Sequence, residues 1–286
     1  MPILAFIKDL IIATFSQMAS LFAGIFIFGL LIHFASQLTF KSLGKSFGRN
    51  GTYFIAWLGT PIHELGHALF CLIFMHKIVD IKFFKPDPLT GTLGYVHHTW
   101  NRSNPWQMLG NIFIGIGPVI LGCVVLFALF YFLIPNSSQV WDSILLRVKE
   151  VDKSSLIGSY LEIFGDSAFE MTRLTFTLSN LTSCRFWVFC YLSICVASNI
   201  RLSLSDIKVA LSGLGCLILL FFLLNLLGLV TGLGGARFFP FTVSSLGIVY
   251  GLLIFALIMV LIGFVLIYSI SAIYFKIRYK RMLHPF

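Results

Sequence analysis

Charged residues are scarce in this chain of 286 residues. They make up 11% of the sequence against 58% hydrophobic residues, whereas a soluble domain carries about 25% charged residues. This scarcity excludes an ordinary water-soluble enzyme, and the high hydrophobic content excludes a disordered chain. The mean hydropathy of +0.95 and the 31 phenylalanines predict a polytopic membrane protein.

Three further features are missing. No two cysteines form a CxxC pair, so we interpret all six as small buried hydrophobic residues. The N-terminal segment lacks a short apolar region followed by a small-residue cleavage site, which argues against a removable signal peptide. No internal repeat is evident, which argues against a transporter or channel. The cysteines are Cys71, Cys123, Cys184, Cys190, Cys195 and Cys216.

The 20 basic residues exceed the 11 acidic residues, which gives a formal net charge of +9. These basic residues lie in loops and in the C-terminal sequence KIRYKRMLHPF, so a lipid bilayer is the expected partner and nucleic acid is not. The positive-inside rule places the C-terminus in the cytoplasm, and an even number of spans then places the N-terminus there too. We therefore expect a multi-pass protein of a prokaryotic cytoplasmic membrane.

Several apolar segments are long enough for transmembrane helices, which need about 20 residues each. We predict an all-α polytopic membrane protein with about six transmembrane helices. After the second helix, Ile78–Lys85 and Gly91–Trp100 have strand composition around a Pro86–Thr90 turn, which predicts a membrane-associated β-hairpin. The predicted spans lie at about residues 11–35, 53–76, 108–135, 183–200, 207–230 and 243–275.

The predicted elements divide the chain into five regions. We interpret the polar insert among them as amphipathic helices that cap the bundle, with a substrate gate or partner surface as the alternative. The regions are 1–50, an N-terminal transmembrane helix and a basic loop with Lys41, Lys45 and Arg49; 51–135, the second helix, hairpin and third span; 136–182, the polar extramembrane insert; 183–230, spans four and five; and 231–286, the last span and basic tail.

The second span contains the sequence His63-Glu64-Leu65-Gly66-His67, an HExxH motif. Residues four apart on a helix lie on one face about 6 Å from each other, so both imidazoles reach one metal ion. Glu64 is then placed to activate a zinc-bound water, whose pKa the metal lowers towards about 7. Metal-binding and acidic side chains deep in a membrane helix are costly and usually functional.

A zinc ion in such a site needs a third protein ligand. His76 is excluded because it lies half a turn round the helix from the motif, and the glutamates of the polar insert lie beyond the third span. Asp206 is the only other acidic residue in strongly apolar sequence, so it is the favoured ligand. His97 and His98 in the hairpin remain alternatives.

With these features in this order, the sequence resembles the site-2 protease family of intramembrane zinc metalloproteases. The resemblance rests on HExxH in a membrane helix, a hairpin directly after it, Gly117-Pro118 in the next span, and an aspartate on a broken segment two spans later. It covers about residues 52–126 and 193–215. It implies that Zn²⁺ is bound by His63, His67 and Asp206, that Glu64 is the catalytic base, and that Asn199 binds the substrate.

The segment SNIRLSLSD lacks the prolines that the family usually carries before its aspartate, and Ile207 replaces the usual glycine. These differences concern substrate handling more than metal binding. The expected function is that of a zinc metalloprotease cleaving peptide bonds within or near the membrane, in regulated intramembrane proteolysis or in peptide or signal processing. Its expected partners are a transmembrane or membrane-associated peptide substrate and the bilayer.

Three other functions remain open. The first is a non-proteolytic metal-binding membrane protein, such as a pseudoprotease or partner protein, although the intact Glu64 argues against it. The second is a membrane zinc hydrolase acting on a soluble or lipidated peptide, which cleavage of a soluble peptide in detergent would reveal. The third is a transporter or channel with a regulatory metal, which predicts ion flux in liposomes.

Overall fold

The computed structural model describes residues 3–139, 141–142, 156–231, 239–281 and 283. Within these ranges the protein is mostly helical, with a two-stranded antiparallel sheet. Four of the helices described are long and apolar enough to cross a membrane. In chain order the elements are α1 (Ile3–Ile73), β1 (Lys77–Lys82), β2 (Tyr95–Thr99), α2 (Pro105–Leu133), α3 (Leu156–Thr175), α4 (Leu178–Leu181), α5 (Cys184–Ala197), α6 (Leu204–Ser212), α7 (Leu214–Thr231) and α8 (Phe239–Tyr279).

Helix α1 folds back on itself at Gly48, whose φ of 64° and ψ of −156° interrupt the helix. Only glycine adopts these angles readily. Leu202 packs against Gly29 before the break, and Asn199 packs against Gly59 after it. In a straight helix those two glycines would lie about 45 Å apart, so the two halves of α1 must run side by side to reach one short segment.

The elements differ from the predicted spans in three places. The predicted basic loop around Lys41, Lys45 and Arg49 is wrong, because these residues are helical and the chain reverses at Gly48 alone. The fourth predicted span coincides with α5, which has 14 residues and is shorter than the helices counted as candidate spans. The fifth is divided into α6 and α7 at Gly213.

The predicted hairpin is confirmed, with shorter strands than the sequence indicated. β1 and β2 follow α1 directly and pair antiparallel, so that Lys77 lies opposite Thr99 and Lys82 opposite Tyr95. The register shifts between Ile78 and Asp80. Tyr95 donates a hydrogen bond of 2.6 Å to the Asp80 carboxylate across the strands, and this bond lowers the pKa of Asp80.

The predicted polar insert contains helices α3 and α4. α3 packs against α8, with Ala168 and Met171 buried, which agrees with helices packed on the bundle. The remainder of the insert, at 140 and 143–155, lies outside the described residues.

The hydrophobic core lies among α1, α2, α5 and α8, where Leu126, Phe189, Leu253 and Phe255 are fully buried. α2 begins with Pro105 in its first turn and with Asn104 as N-cap, whose side chain accepts the Trp106 N–H. α2 packs against α1 on one side and against α6 on another. This central helix therefore brings the two sequence segments of the predicted site together.

Candidate metal centre

The two histidines of the HExxH motif lie near the middle of the second half of α1, and their side chains are 12% and 13% exposed. His63 Nδ1 is 2.9 Å from the backbone oxygen of Asn199, and His67 Nδ1 is 2.8 Å from that of Ile114. A carbonyl oxygen only accepts, so each Nδ1 carries a proton, and in the neutral imidazole each Nε2 then keeps its lone pair. This tautomer is the one that a metal ligand requires.

Asp206 faces these two Nε2 atoms from the first turn of α6. Its carboxylate oxygens lie 3.7 Å from His63 Nε2 and 3.3 Å from His67 Nε2. Ser203 and Asp206 form a capping box: the Ser203 backbone N–H donates to Asp206 at 2.8 Å, and the Asp206 N–H donates to the Ser203 hydroxyl at 3.2 Å. The capping box that starts α6 therefore also orients the carboxylate.

The structure thus brings together the three predicted ligands, His63, His67 and Asp206, and they could hold a metal ion. One ligand atom from each lies within 4.8 Å of the others. A tetrahedral ion with bonds of about 2.0–2.1 Å to nitrogen and oxygen requires ligand atoms roughly 3.3 Å apart. Asp206 Oδ1 lies 3.3 Å from His67 Nε2 and Asp206 Oδ2 lies 3.7 Å from His63 Nε2, which is close to this spacing.

Small residues let α1 and α2 approach closely at this level. A Cβ atom on Gly66, between the two histidines, would lie 2.7 Å from the Pro118 backbone. A Cβ atom on Gly117 would lie 2.6 Å from the Gly66 backbone oxygen. The Gly-Pro pair that supports the family resemblance is therefore the surface of α2 that meets the HExxH motif.

A cavity of about 460 Å³ opens beside the three ligands. Glu64 lines it and is 7% exposed, with Gly94 of the hairpin packed against its Cγ. The hairpin contributes β2 and the residues just before it to the lining of this cavity. Glu64, the candidate metal ligands and β2 therefore all line one cavity.

Two residues that sequence reasoning missed belong to this site. Arg201 lines the cavity, with its guanidinium carbon 5.4 Å from the centre of the Phe40 ring. Ser203 holds Asp206 through the capping box described above. Both had a signal, since Arg201 is a charged residue between the fourth and fifth predicted spans, and the S-x-x-D spacing of Ser203 and Asp206 is typical of a helix start.

Asn199 was predicted to bind the substrate, and the structure gives it contacts within the protein. Its side-chain nitrogen donates to the Cys195 backbone oxygen at 3.0 Å, and its side-chain oxygen lies 3.5 Å from the Thr60 hydroxyl. Its backbone oxygen orients His63. Asn199 also lines the cavity. Contact between Asn199 and a substrate stays a prediction.

The hairpin histidines His97 and His98 line the cavity but do not belong to the group around Asp206. His98 lies instead in a second group of possible metal ligands with Cys71 and His76. Burial, together with the neighbouring His76, lowers the pKa of His98 to about 4. Cys71 is buried as predicted, whereas Cys184 is exposed, so the prediction that all six cysteines are buried is wrong for Cys184.

No protein-family profile, curated protein or solved structure matches this chain.

Proposed function

We propose that the protein is a zinc metalloprotease that cleaves peptide bonds within or near the membrane, in the manner of the site-2 protease family. One observation carries the proposal: His63, His67 and Asp206 converge inside an apolar helical bundle, with Glu64 lining the cavity beside them. Two imidazoles and one carboxylate are a ligand set of catalytic zinc sites, which keep a fourth position open.

Glu64 is the residue to which we assign proton transfer. When bound, zinc supplies Lewis-acid chemistry, polarising a peptide carbonyl and making water more acidic. Glu64 accepts the proton of the attacking water and later donates it to the leaving amine, so that water and one peptide bond yield a carboxylate and an amine. Arg201 offers a positive charge in the same cavity for the negative charge that develops on the carbonyl oxygen.

β2 supports the binding of an extended substrate. A helix inside a membrane has all its backbone groups paired, so a substrate helix must unwind to present a carbonyl. In a two-stranded sheet each strand keeps one unpaired edge, and β2 lies along the cavity. We propose that the unwound substrate adds to this sheet as a strand, and that Asn199 donates its second side-chain N–H to it.

We also propose that the chain crosses the membrane six times, with both termini in the cytoplasm of a prokaryote. The two halves of α1 supply two crossings, because α1 folds back at Gly48. α2, α5, the α6–α7 pair and α8 supply the others. The basic end of α8, with Lys276 and Arg278 in its last turn, supports a cytoplasmic C-terminus.

A hydrolase that takes a soluble or lipidated peptide is the second candidate. It is favoured by the position of Thr90, Gly91 and Thr92, which are exposed and line the same cavity. A peptide in water could reach the cavity past this loop without entering the bilayer.

The test uses the zinc-loaded full chain in proteoliposomes. One probe is a fluorescent transmembrane peptide with a helix-breaking Gly-Pro pair, and the other is a soluble peptide of the same central sequence. Glu64→Gln should lower cleavage by about 10²–10⁴-fold and keep the zinc content of the wild type. Asp9→Asn, which changes an exposed acid near the start of α1, should cleave normally.

Cleavage of only the transmembrane probe supports intramembrane proteolysis, and cleavage of only the soluble probe favours the second candidate. Equal cleavage by Glu64→Gln and the wild type would remove Glu64 from its role. A zinc-loaded protein that cuts neither probe would favour a non-proteolytic metal-binding protein.

A further inference from the structure

A second group of metal-ligating side chains lies at the end of α1, apart from the HExxH site. It consists of Cys71, His76 and His98, whose ligand atoms all lie within 4.8 Å of one another. Cys71 is fully buried and His76 is 5% exposed. The three residues come from a helix, the turn that follows it and β2, so the packing of three different segments brings them together.

The turn after α1 fixes Cys71 and His76 side by side. The His76 N–H donates to the Cys71 backbone oxygen at 2.8 Å, and the Met75 N–H donates to that of Leu72 at 3.2 Å. These two bonds define a Schellman motif, in which Met75 takes the left-handed conformation with a φ of 59°. The pair of side chains that usually forms an apolar contact in this motif is here a thiol and an imidazole.

The hydrogen bonds of His76 leave a lone pair for a metal. His76 Nε2 lies 2.8 Å from the Gln107 backbone oxygen, so it carries the proton. His76 Nδ1 therefore has a lone pair, which accepts a hydrogen bond of 3.0 Å from His98 Nδ1. A metal ion bound between these two nitrogens would replace the proton that they share. Nitrogen ligands of a tetrahedral zinc ion are roughly 3.3 Å apart, so this spacing is close to what zinc needs. His63 and His67 are oriented by backbone oxygens in the same way.

We propose that Cys71, His76 and His98 bind a second zinc ion, which fastens the hairpin to the end of α1. A thiolate with two imidazoles suits zinc and excludes hard cations such as magnesium and calcium. Three protein ligands leave one position for water, and the cavity that His98 lines can supply it. Because Gly94 of the same hairpin packs against Glu64, this zinc ion also fixes one wall of the catalytic cavity.

The proposal goes beyond the proposed protease, and a thiolate ligand makes the two sites distinguishable. Among the ligands assigned to the two sites, only the second set contains sulfur. Cobalt(II) bound to a thiolate absorbs in the near ultraviolet through sulfur-to-metal charge transfer, whereas cobalt(II) bound to imidazole and carboxylate lacks this band. The purified full chain is loaded with zinc for metal analysis and with cobalt(II) for absorption.

The wild type should bind two zinc ions and show the charge-transfer band. Cys71→Ser and, separately, His98→Gln should each lose one zinc ion, and Cys71→Ser should lose the band. Cys123 is also buried, but it lies on α2, so Cys123→Ser should keep both zinc ions and the charge-transfer band. His67→Ala should lose one zinc ion and keep the band.

Three results would overturn the proposal: no band in the wild type, a band that survives in Cys71→Ser, or a band lost equally in Cys123→Ser. If the wild type binds one zinc ion and shows the band, the site at Cys71 is supported and the zinc site at the HExxH motif is contradicted. Thermal unfolding of the metal-free variants shows whether each is folded, and His98→Gln gives a second reading if Cys71→Ser is unstable.

Discussion

At the scale of single residues, the candidate metal centre depends on backbone carbonyls as much as on its ligands. The oxygens of Asn199 and Ile114 hold the two imidazoles, and each comes from a different segment of the fold. Contacts of this kind set the tautomer and ring orientation of a metal-binding histidine, and their loss typically costs 10–100-fold in affinity or activity. The site therefore depends on the relative positions of α1, α2 and the segment before α6.

Ser203 offers a test of this dependence. Ser203→Ala removes the hydroxyl that accepts the Asp206 N–H and weakens the capping box that starts α6. A lost N-cap costs about 1 kcal/mol of helix stability. Because a lost contact to a metal ligand typically costs 10–100-fold in affinity, we expect zinc affinity at the HExxH site to fall about tenfold. Competition with a chromophoric chelator measures this affinity. The measurement is made in the Cys71→Ser protein, so that only the HExxH site binds zinc.

Ser212→Ala is the matched control on the same helix. Its hydroxyl donates to the Val209 backbone oxygen at the exposed end of α6, away from Asp206. This variant should bind zinc like its parent. Equal losses in the two serine variants, or no loss in Ser203→Ala, would mean that the capping box does not position the carboxylate.

At the scale of elements, the contact between α1 and α2 places the motif against its supporting backbone. Gly66→Ala would put a Cβ atom 2.7 Å from the Pro118 backbone, which cannot move aside as a side chain would. We expect the helices to separate, with a loss of stability of about 1–3 kcal/mol. His67 would also move from the Ile114 oxygen, so zinc affinity should fall with the melting temperature.

Gly215→Ala is the control for this substitution, because nothing lies within 4 Å of the added Cβ atom. Alanine favours a helix over glycine by about 1 kcal/mol, so this variant should melt no lower than the wild type. Thermal unfolding in detergent measures both variants. A Gly66→Ala protein with wild-type melting temperature and zinc affinity would contradict the close contact.

The elements that could be predicted from the sequence are those with a strong local pattern. The HExxH helix and the hairpin have clear spacing or composition, and Asp206 was found because it is an isolated acid in apolar sequence. The break of α1 was placed in a loop because three basic residues suggested one, whereas a single glycine with positive φ makes the turn. The sequence on both sides of Gly48 favours a helix, so it does not predict that the chain reverses there.

The second group of ligands was missed for a different physical reason. Cys71 and His76 are five residues apart, which places them on different faces of a continuous helix. Only the Schellman turn after α1 brings them together, and it uses Met75 where glycine would be the usual signal. His98 joins them through the hairpin, a pairing over more than twenty residues of sequence.

At the scale of the whole molecule, the fold-back of α1 determines the direction of the helices that follow. If its two halves are separate crossings, the chain has an even number of crossings and both termini lie on one side. We expect green fluorescent protein to fluoresce when fused to either terminus. Alkaline phosphatase, which is active only outside the cytoplasm, should be inactive at both. Termini on opposite sides would require an odd number of crossings.

In the proposed metal centre, His63, His67 and Asp206 hold one zinc ion in the bundle. The most direct test is the zinc content per chain of the purified Cys71→Ser protein, beside the same protein carrying His67→Ala or Asp206→Ala. We expect one zinc ion in the parent and a loss or strong weakening of binding in both variants. Zinc that persists in Asp206→Ala, or a parent without zinc after reconstitution, would contradict the proposed centre.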